Sequence, residues 1–148
     1  MTRTRSLCWL LTTVLLGSAF AQATARADDP PKAPNSGPRV FELRTYYTHP
    51  GKLDALNARF RDHTCGLFKK HGMGLVGFWT PIDEKDGKAD KLVYLLAYPS
   101  RDAAKASWKA FQDDPEWKKA RAESEKAGPI VKKVESVYLD PTDYSAIK

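Results

Sequence analysis

The 148-residue chain has only two cysteines, and that scarcity removes whole classes of architecture. Cys8 sits early in an N-terminal apolar block that we expect to be removed, a position that does not suit a lipoprotein attachment site. Cys65 is then the lone thiol of the folded part. An internal disulfide is excluded, and stability has to come from packing. Basic runs are also missing. The formal charge of +6 includes Arg3, Arg5 and Arg26; beyond them 21 basic residues face 18 acidic ones, dispersed along the chain. A balance of +3 without a cluster lacks the electrostatic footprint of a nucleic-acid binder.

What is present begins with an export pattern. Arg3 and Arg5 precede the apolar stretch LCWLLTTVLLGSAF (7–20). Three A-x-A ends follow, at Ala19-Phe20-Ala21, Ala21-Gln22-Ala23 and Ala25-Arg26-Ala27, so residues 1–27 are expected to form a secretory signal peptide. The uncharged run Ser6–Ala25 is nominally long enough to span a bilayer, and a retained anchor is the alternative. Thr12, Thr13, Gly17, Ser18 and Gln22 dilute that run. The expectation is a periplasmic or secreted protein with no stable membrane span after cleavage. Residues 28–38, DDPPKAPNSGP, read as a Pro-rich linker. Residues 39–148 are one domain in size.

Within that domain VFELRTYY (40–47) alternates with period two and predicts a strand. After His49-Pro50-Gly51, Leu53, Leu56, Phe60 and Leu67 recur at helical spacing and predict a helix over about 52–71, stopped by Gly72. GLVGFWT (74–80) and KLVYLLAY (91–98) predict two strands joined by the polar loop 82–90. Ser100 is placed to cap a second helix, and Asp114-Pro115 to start a third that reaches about Ala127. A last strand covers about 131–139. The order is β-α-β-β-α-β, an α+β ferredoxin-like domain with a four-stranded antiparallel sheet. A faint likeness between VFELRTY (40–46) and LVYLLAY (92–98) agrees with two βαβ halves.

In such a fold helices cover one sheet face. The third strand nevertheless carries Val93, Leu95 and Ala97 on one side and Leu92, Tyr94, Leu96 and Tyr98 on the other. Likewise the second places Val76 and Phe78 opposite Leu75 and Trp79. Each large apolar side chain left in water forgoes roughly 1.5–3 kcal/mol. No further segment is available to cover the second face, so a homodimer forming an α/β barrel is expected.

ELRTY (42–46), PGKLDALNARF (50–60), HG with VGFW (His71–Trp79), YLLAYPS (94–100), AFQDDPEW (110–117) and DYS (143–145) resemble the NIPSNAP family over nearly the whole domain. The resemblance implies a dimeric α/β barrel. It attaches no single reaction to the chain, and barrel relatives include cofactor-independent monooxygenases, isomerases and haem proteins. Where the family pattern leads us to expect an apolar residue in the first helix, this chain has Cys65-Gly66. A mid-helix glycine costs about 1 kcal/mol relative to alanine and opens space beside it.

The candidate site residues are His63, Arg59, His71, Trp79, Tyr94, Tyr98, Glu42 and Arg44. With Leu53 at zero and 100° per residue, the buried stripe falls at about 300–340°, His63 at about 280°, Arg59 at about 240°, His71 at about 0° and Cys65 at about 120°. The two histidines stand about 12 Å apart along the helix and cannot share an ion, so no metal site is expected from this segment. His63 either faces a pocket between sheet and first helix, as base, haem ligand or neighbour of an anion-binding Arg59, or is satisfied structurally. His71 is expected to help close the helix end. If Phe41 and Leu43 face the helices, Glu42 and Arg44 look into the barrel with Tyr94 and Tyr98, as an ion pair or a polar ligand contact. Trp79, Trp108 and Trp117 are expected in the core. These residues favour a non-catalytic module binding a small ligand or a protein partner, with no cofactor assigned. A small oxygenase, isomerase or haem-binding protein is the alternative, and whether the chain is an enzyme stays open.

Overall fold

The computed structural model describes residues 39–148. The signal peptide, Cys8 and the linker expected before them lie outside the described residues. Four strands, β1 (Val40–Thr48), β2 (Gly74–Trp79), β3 (Lys91–Tyr98) and β4 (Val131–Leu139), form one sheet in the order β2-β3-β1-β4. Every neighbouring pair is antiparallel. The ferredoxin-like α+β fold expected from the pattern is therefore the one observed.

The first helical segment runs as α1 (Leu53–Arg59), a π-helical turn (Phe60–Thr64) and α2 (Cys65–Lys70). In the turn the amide of Cys65 donates to the carbonyl of Phe60, five residues back, and the Thr64 hydroxyl donates to the carbonyl of Arg59. One extra residue in the turn rotates everything after it by about 100° relative to an uninterrupted α-helix. That rotation buries Thr64 and Phe68 alongside Leu56, Arg59, Phe60 and Leu67, and it swings His63 out to solvent. Gly72, at a φ of 76°, ends the segment as expected.

The caps follow the sequence closely. Ser100 Oγ accepts from the amide of Ala103 at the start of α3 (Arg101–Asp113). Asp114 Oδ1 accepts from the amide of Glu116 at the start of α4 (Pro115–Ser124), which ends three residues before the expected Ala127. A single 3-10 turn, Glu84–Asp86, lies in the β2–β3 loop.

Sheet register decides which face carries the core. Arg44 lies opposite Tyr94 and Ser136, Glu42 opposite Leu96 and Tyr138, and Tyr46 opposite Leu92 and Val134. Directly opposed residues share a face. This face lies under the helices, where Tyr46, Phe60, Phe68, Phe78 and Tyr94 meet with ring centres 5.2–6.1 Å apart. Such edge-to-face and tilted pairs add to the burial term.

Three expectations are corrected here. Glu42 and Arg44 face the helices, and Phe41 and Leu43 take the open side. Strand period two ties the polar pair to Tyr46, whose ring packs edge-on against Phe60 and Tyr94 in the aromatic cluster. A bulge between Leu75 and Gly77 then puts Leu75 and Phe78 on the same, helix-covered side, not on opposite sides. Trp79 lands on the open face, 54% exposed, and is not core. Its ring covers Gly77 so closely that a Cβ there would lie 2.5 Å from it.

Candidate functional site

Glu42 is 1% exposed and is the polar centre of the layer between sheet and helices. Its Oε1 accepts from Arg44 Nη1 (2.7 Å) and Ser136 Oγ (2.6 Å). Its Oε2 accepts from Trp108 Nε1 (2.7 Å) and Tyr98 Oη (2.9 Å). Burial pushes this carboxyl up, but the hydrogen bonds from Ser136 and Trp108 and the Arg44 charge outweigh it and hold it below the ordinary range. Burial and the adjacent carboxylate push the Tyr98 hydroxyl up. Tyr94 is wholly buried, its hydroxyl without a hydrogen-bond partner and pushed well up by that burial.

Arg44 leads from this centre towards solvent. Its guanidinium carbon lies 4.1 Å from the centre of the Trp108 ring, within cation–π range. Arg59 approaches the same region from the last turn of α1. It is 4% exposed, its Nη1 donates to Glu125 Oε1 (2.9 Å) and Ser124 Oγ (3.3 Å), and it lies over the Trp117 ring. Burial pushes the Glu125 carboxyl up, yet hydrogen bonds from Arg59 and Arg121 leave it lowered.

The two arginines, Tyr46, Trp108 and Trp117 line one cleft of about 690 Å³ between α3, α4 and the β1–β4 side of the sheet. That size is typical of small-molecule sites. For each arginine only Nη1 makes a hydrogen bond, while Nε is buried without a partner. Unpaired buried donors of this kind are uncommon and costly.

The remaining candidates lie elsewhere. His63 is exposed and lines a shallow groove of about 440 Å³ between the first helical segment and α4, with Asp62, Gly66 and Lys70. It does not reach the sheet, so the expected pocket between sheet and first helix does not include it. Gly66 has open space beside it, as expected of a glycine there. His71 closes the helix end, its Nε2 2.7 Å from Asp114 Oδ2, and Lys70 Nζ lies 3.0 Å from the same oxygen. Contacts with His71 and Lys70 hold the Asp114 carboxyl far below the usual range. The Cys65 thiol, half-buried, is pushed up by burial. Among the described residues no group of three or more His, Cys, Asp or Glu side chains converges on a metal-sized site. No described helix is long and apolar enough to cross a membrane.

The structure thus brings Glu42, Arg44, Tyr98 and Arg59 to one region and leaves His63, His71 and Trp79 outside it. Sequence reasoning missed that Trp108 and Trp117 wall the cleft, because aromatic residues at helical spacing look like core. An arginine three residues after Leu56, at the edge of the buried stripe, was the one available signal.

The NIPSNAP family model matches residues 41–146. A NIPSNAP family protein from Agrobacterium tumefaciens superimposes with a TM-score of 0.65 at 20% identity, covering 77% of this chain and 97% of that one. A NIPSNAP domain protein from Burkholderia xenovorans gives 0.60 at 24% identity, covering 72% and 97%. At these identities the solved structures speak for the fold alone. No curated protein matches the chain. The family match spans nearly the whole described domain, and the chain belongs to the NIPSNAP family.

Proposed function

We propose that this domain is an exported homodimer that binds a small ligand in the Arg44–Arg59 cleft without transforming it. The observation that carries the reading is a cleft walled by Tyr46, Trp108 and Trp117 and lined by six basic residues against the single acid Glu125. Aromatic walls with a surplus of positive charge suit a small anionic ligand.

Binding is favoured over chemistry by how the acid–base candidates are engaged. Glu42 accepts four hydrogen bonds and is held ionised. His71 is tied to Asp114 at a helix junction. A general base needs a free lone pair aimed at a substrate proton, and neither group offers one into the cleft.

Dimerisation is supported by the open sheet face, where Trp79 and Val137 are each 54% exposed and Leu139 40%. Covering such a patch with its copy removes apolar area from water. Export rests on the pattern of residues 1–27.

Native mass spectrometry of the processed protein tests the reading. The expected spectrum shows a dimer carrying an added mass of small-molecule size that is lost in Arg59→Gln. A bare monomer, or an added mass indifferent to Arg59, contradicts it.

A further inference from the structure

The cleft does not end at Trp108. A second depression of about 810 Å³ continues along α3, lined by Arg101, Lys105 and Tyr138, and both Trp108 and Gln112 line the two in common. One face of α3 forms this wall, because Arg101, Lys105, Trp108 and Gln112 follow one another at steps of three and four residues. The other wall is the edge strand β4, whose Val134, Ser136 and Tyr138 share the helix-covered face with Tyr46, Arg44 and Glu42. The Arg101 guanidinium lies over the Tyr138 ring and that of Arg44 over Trp108, so helix and strand run side by side as a groove. Arg101 to Gln112 is about 16 Å along the helix, and Tyr138 to Lys132 about 20 Å along the strand.

Positive charge is free at the two ends of this groove. Arg101 and Lys105 stand at one end, Lys118 and Lys132 at the other. All four are exposed, and none forms a salt bridge among the described residues. Asp102 shares the first end and leaves it one net positive charge. Between the ends the cations are already matched: Arg44 by Glu42, Arg59 and Arg121 by Glu125, and Lys109 by Asp113. An anion is therefore attracted to either end, while one placed midway meets arginines that already hold a carboxylate.

The middle is apolar. Tyr46, Trp108 and Trp117 are half-buried, and Val134 is 39% exposed beside Tyr46. An uncharged chain lying there leaves water for an apolar surface. Charge at two separated ends with an apolar stretch between is the complement of a long dianion, and a polymer charged at every unit lacks that pattern.

Building on the binding cleft proposed above, we infer that the groove holds a long-chain dicarboxylate of about 16–20 Å, with one carboxylate at Arg101 and Lys105, the other at Lys118 and Lys132, and the chain against Trp108 and Val134.

Four probes titrated into the processed protein by calorimetry separate the possibilities: hexadecanedioate, its monomethyl ester, hexanedioate and a short oligogalacturonate. The expected result is saturable hexadecanedioate binding. The ester, which lacks one charge, and hexanedioate, which is too short to reach both ends, are each expected to bind about tenfold or more weakly, the loss of one charge-assisted contact. The double variant Lys118→Gln/Lys132→Gln should bring hexadecanedioate down to the affinity of the ester and leave the ester, which needs one end only, nearly unchanged. The control Lys69→Gln/Lys119→Gln, equal in charge and outside the groove, should leave both as they are. Equal binding of the ester or of hexanedioate overturns the two-ended assignment and leaves a binding cleft standing, and tighter binding of the oligogalacturonate replaces it with a track for a polyanion. A natively bound small molecule with no affinity for any probe likewise overturns this inference alone. Should no probe bind and the native protein carry no small molecule, the binding reading fails and takes this inference with it. The probe comparison within the unaltered protein decides the matter even if a variant folds poorly.

Discussion

Replacing Glu42 by glutamine keeps the shape of the side chain and removes its charge, and the structure fixes what must follow. All four hydrogen bonds to Glu42 are donated to it, two at each oxygen. A glutamine amide presents one acceptor and one donor, so two of the four partners face an N–H. Ser136 or Tyr98 can rotate its hydroxyl and accept. Arg44 and Trp108 cannot, since both are donors only. One of them is left unsatisfied in either orientation of the amide, at a cost of about 1–3 kcal/mol. Arg44, 17% exposed at its side chain, also loses its counter-charge, and stranding a buried partner costs up to about 3–5 kcal/mol. Water reaches part of Arg44, so a total near 3 kcal/mol is expected, enough to lower the melting temperature by about 10 °C or more.

The assay is urea unfolding at fixed protomer concentration, repeated between pH 3 and pH 7. Because folding lowers the Glu42 carboxyl below its unfolded value, its contribution is complete above the ordinary carboxylate range. It is lost as pH falls through the folded value. Glu42→Gln should therefore be much less stable than the natural protein at pH 7, with the gap closing at acid pH. A variant within about 0.5 kcal/mol of the natural protein at pH 7 would refute the reasoning, that being the size of an ordinary surface change.

Five further outcomes are expected. Deleting Asp62 from the π turn should give a folded protein with a continuous α-helix, because the buried arc realigns. Inserting an alanine after Asp62 turns Leu67 and Phe68 outward and should cost roughly 1.5–3 kcal/mol for each, read by urea unfolding. Trp79→Glu or Val137→Glu should convert the proposed dimer to a monomer in light scattering without changing the far-ultraviolet dichroism. Asp114→Ala, which loses a helix cap together with the His71 and Lys70 contacts, should lower the melting temperature by several degrees more than Asp113→Ala, whose carboxylate meets only Lys109. Haemin titration should produce no Soret shift that depends on His63, since His63→Ala alters an exposed residue of the outer groove.

The parts that could be read from sequence were those set by short-range chemistry. Period-two alternation located the strands, and Ser100 and Asp114 cap the helices they were expected to cap. The site was less legible, for three physical reasons. The π turn has no strong local signature: Thr64 and Phe68, four residues apart, form a second arc that is visible only once the extra residue is allowed. The bulge after Leu75 similarly shifts Phe78 by one position, and period-two reasoning has no means to place it. Finally, a glutamate and an arginine in one strand face suggested the outer side of the sheet. The decisive cue was Tyr46, in phase with both and too large to leave in water, along with the bulkier set Leu92, Tyr94, Leu96 and Tyr98 on the matching face of β3.

The indole N–H resonances of a 15N-labelled sample report on the two sides of the sheet separately. Trp108 and Trp117 lie at the arginine cleft, while Trp79 lies on the opposite face and serves as an internal control. Stripping the small molecule from natively purified protein should shift the Trp108 and Trp117 signals and leave Trp79 in place. A shift confined to Trp79, or three stationary indoles, would contradict the assignment of the ligand to the cleft.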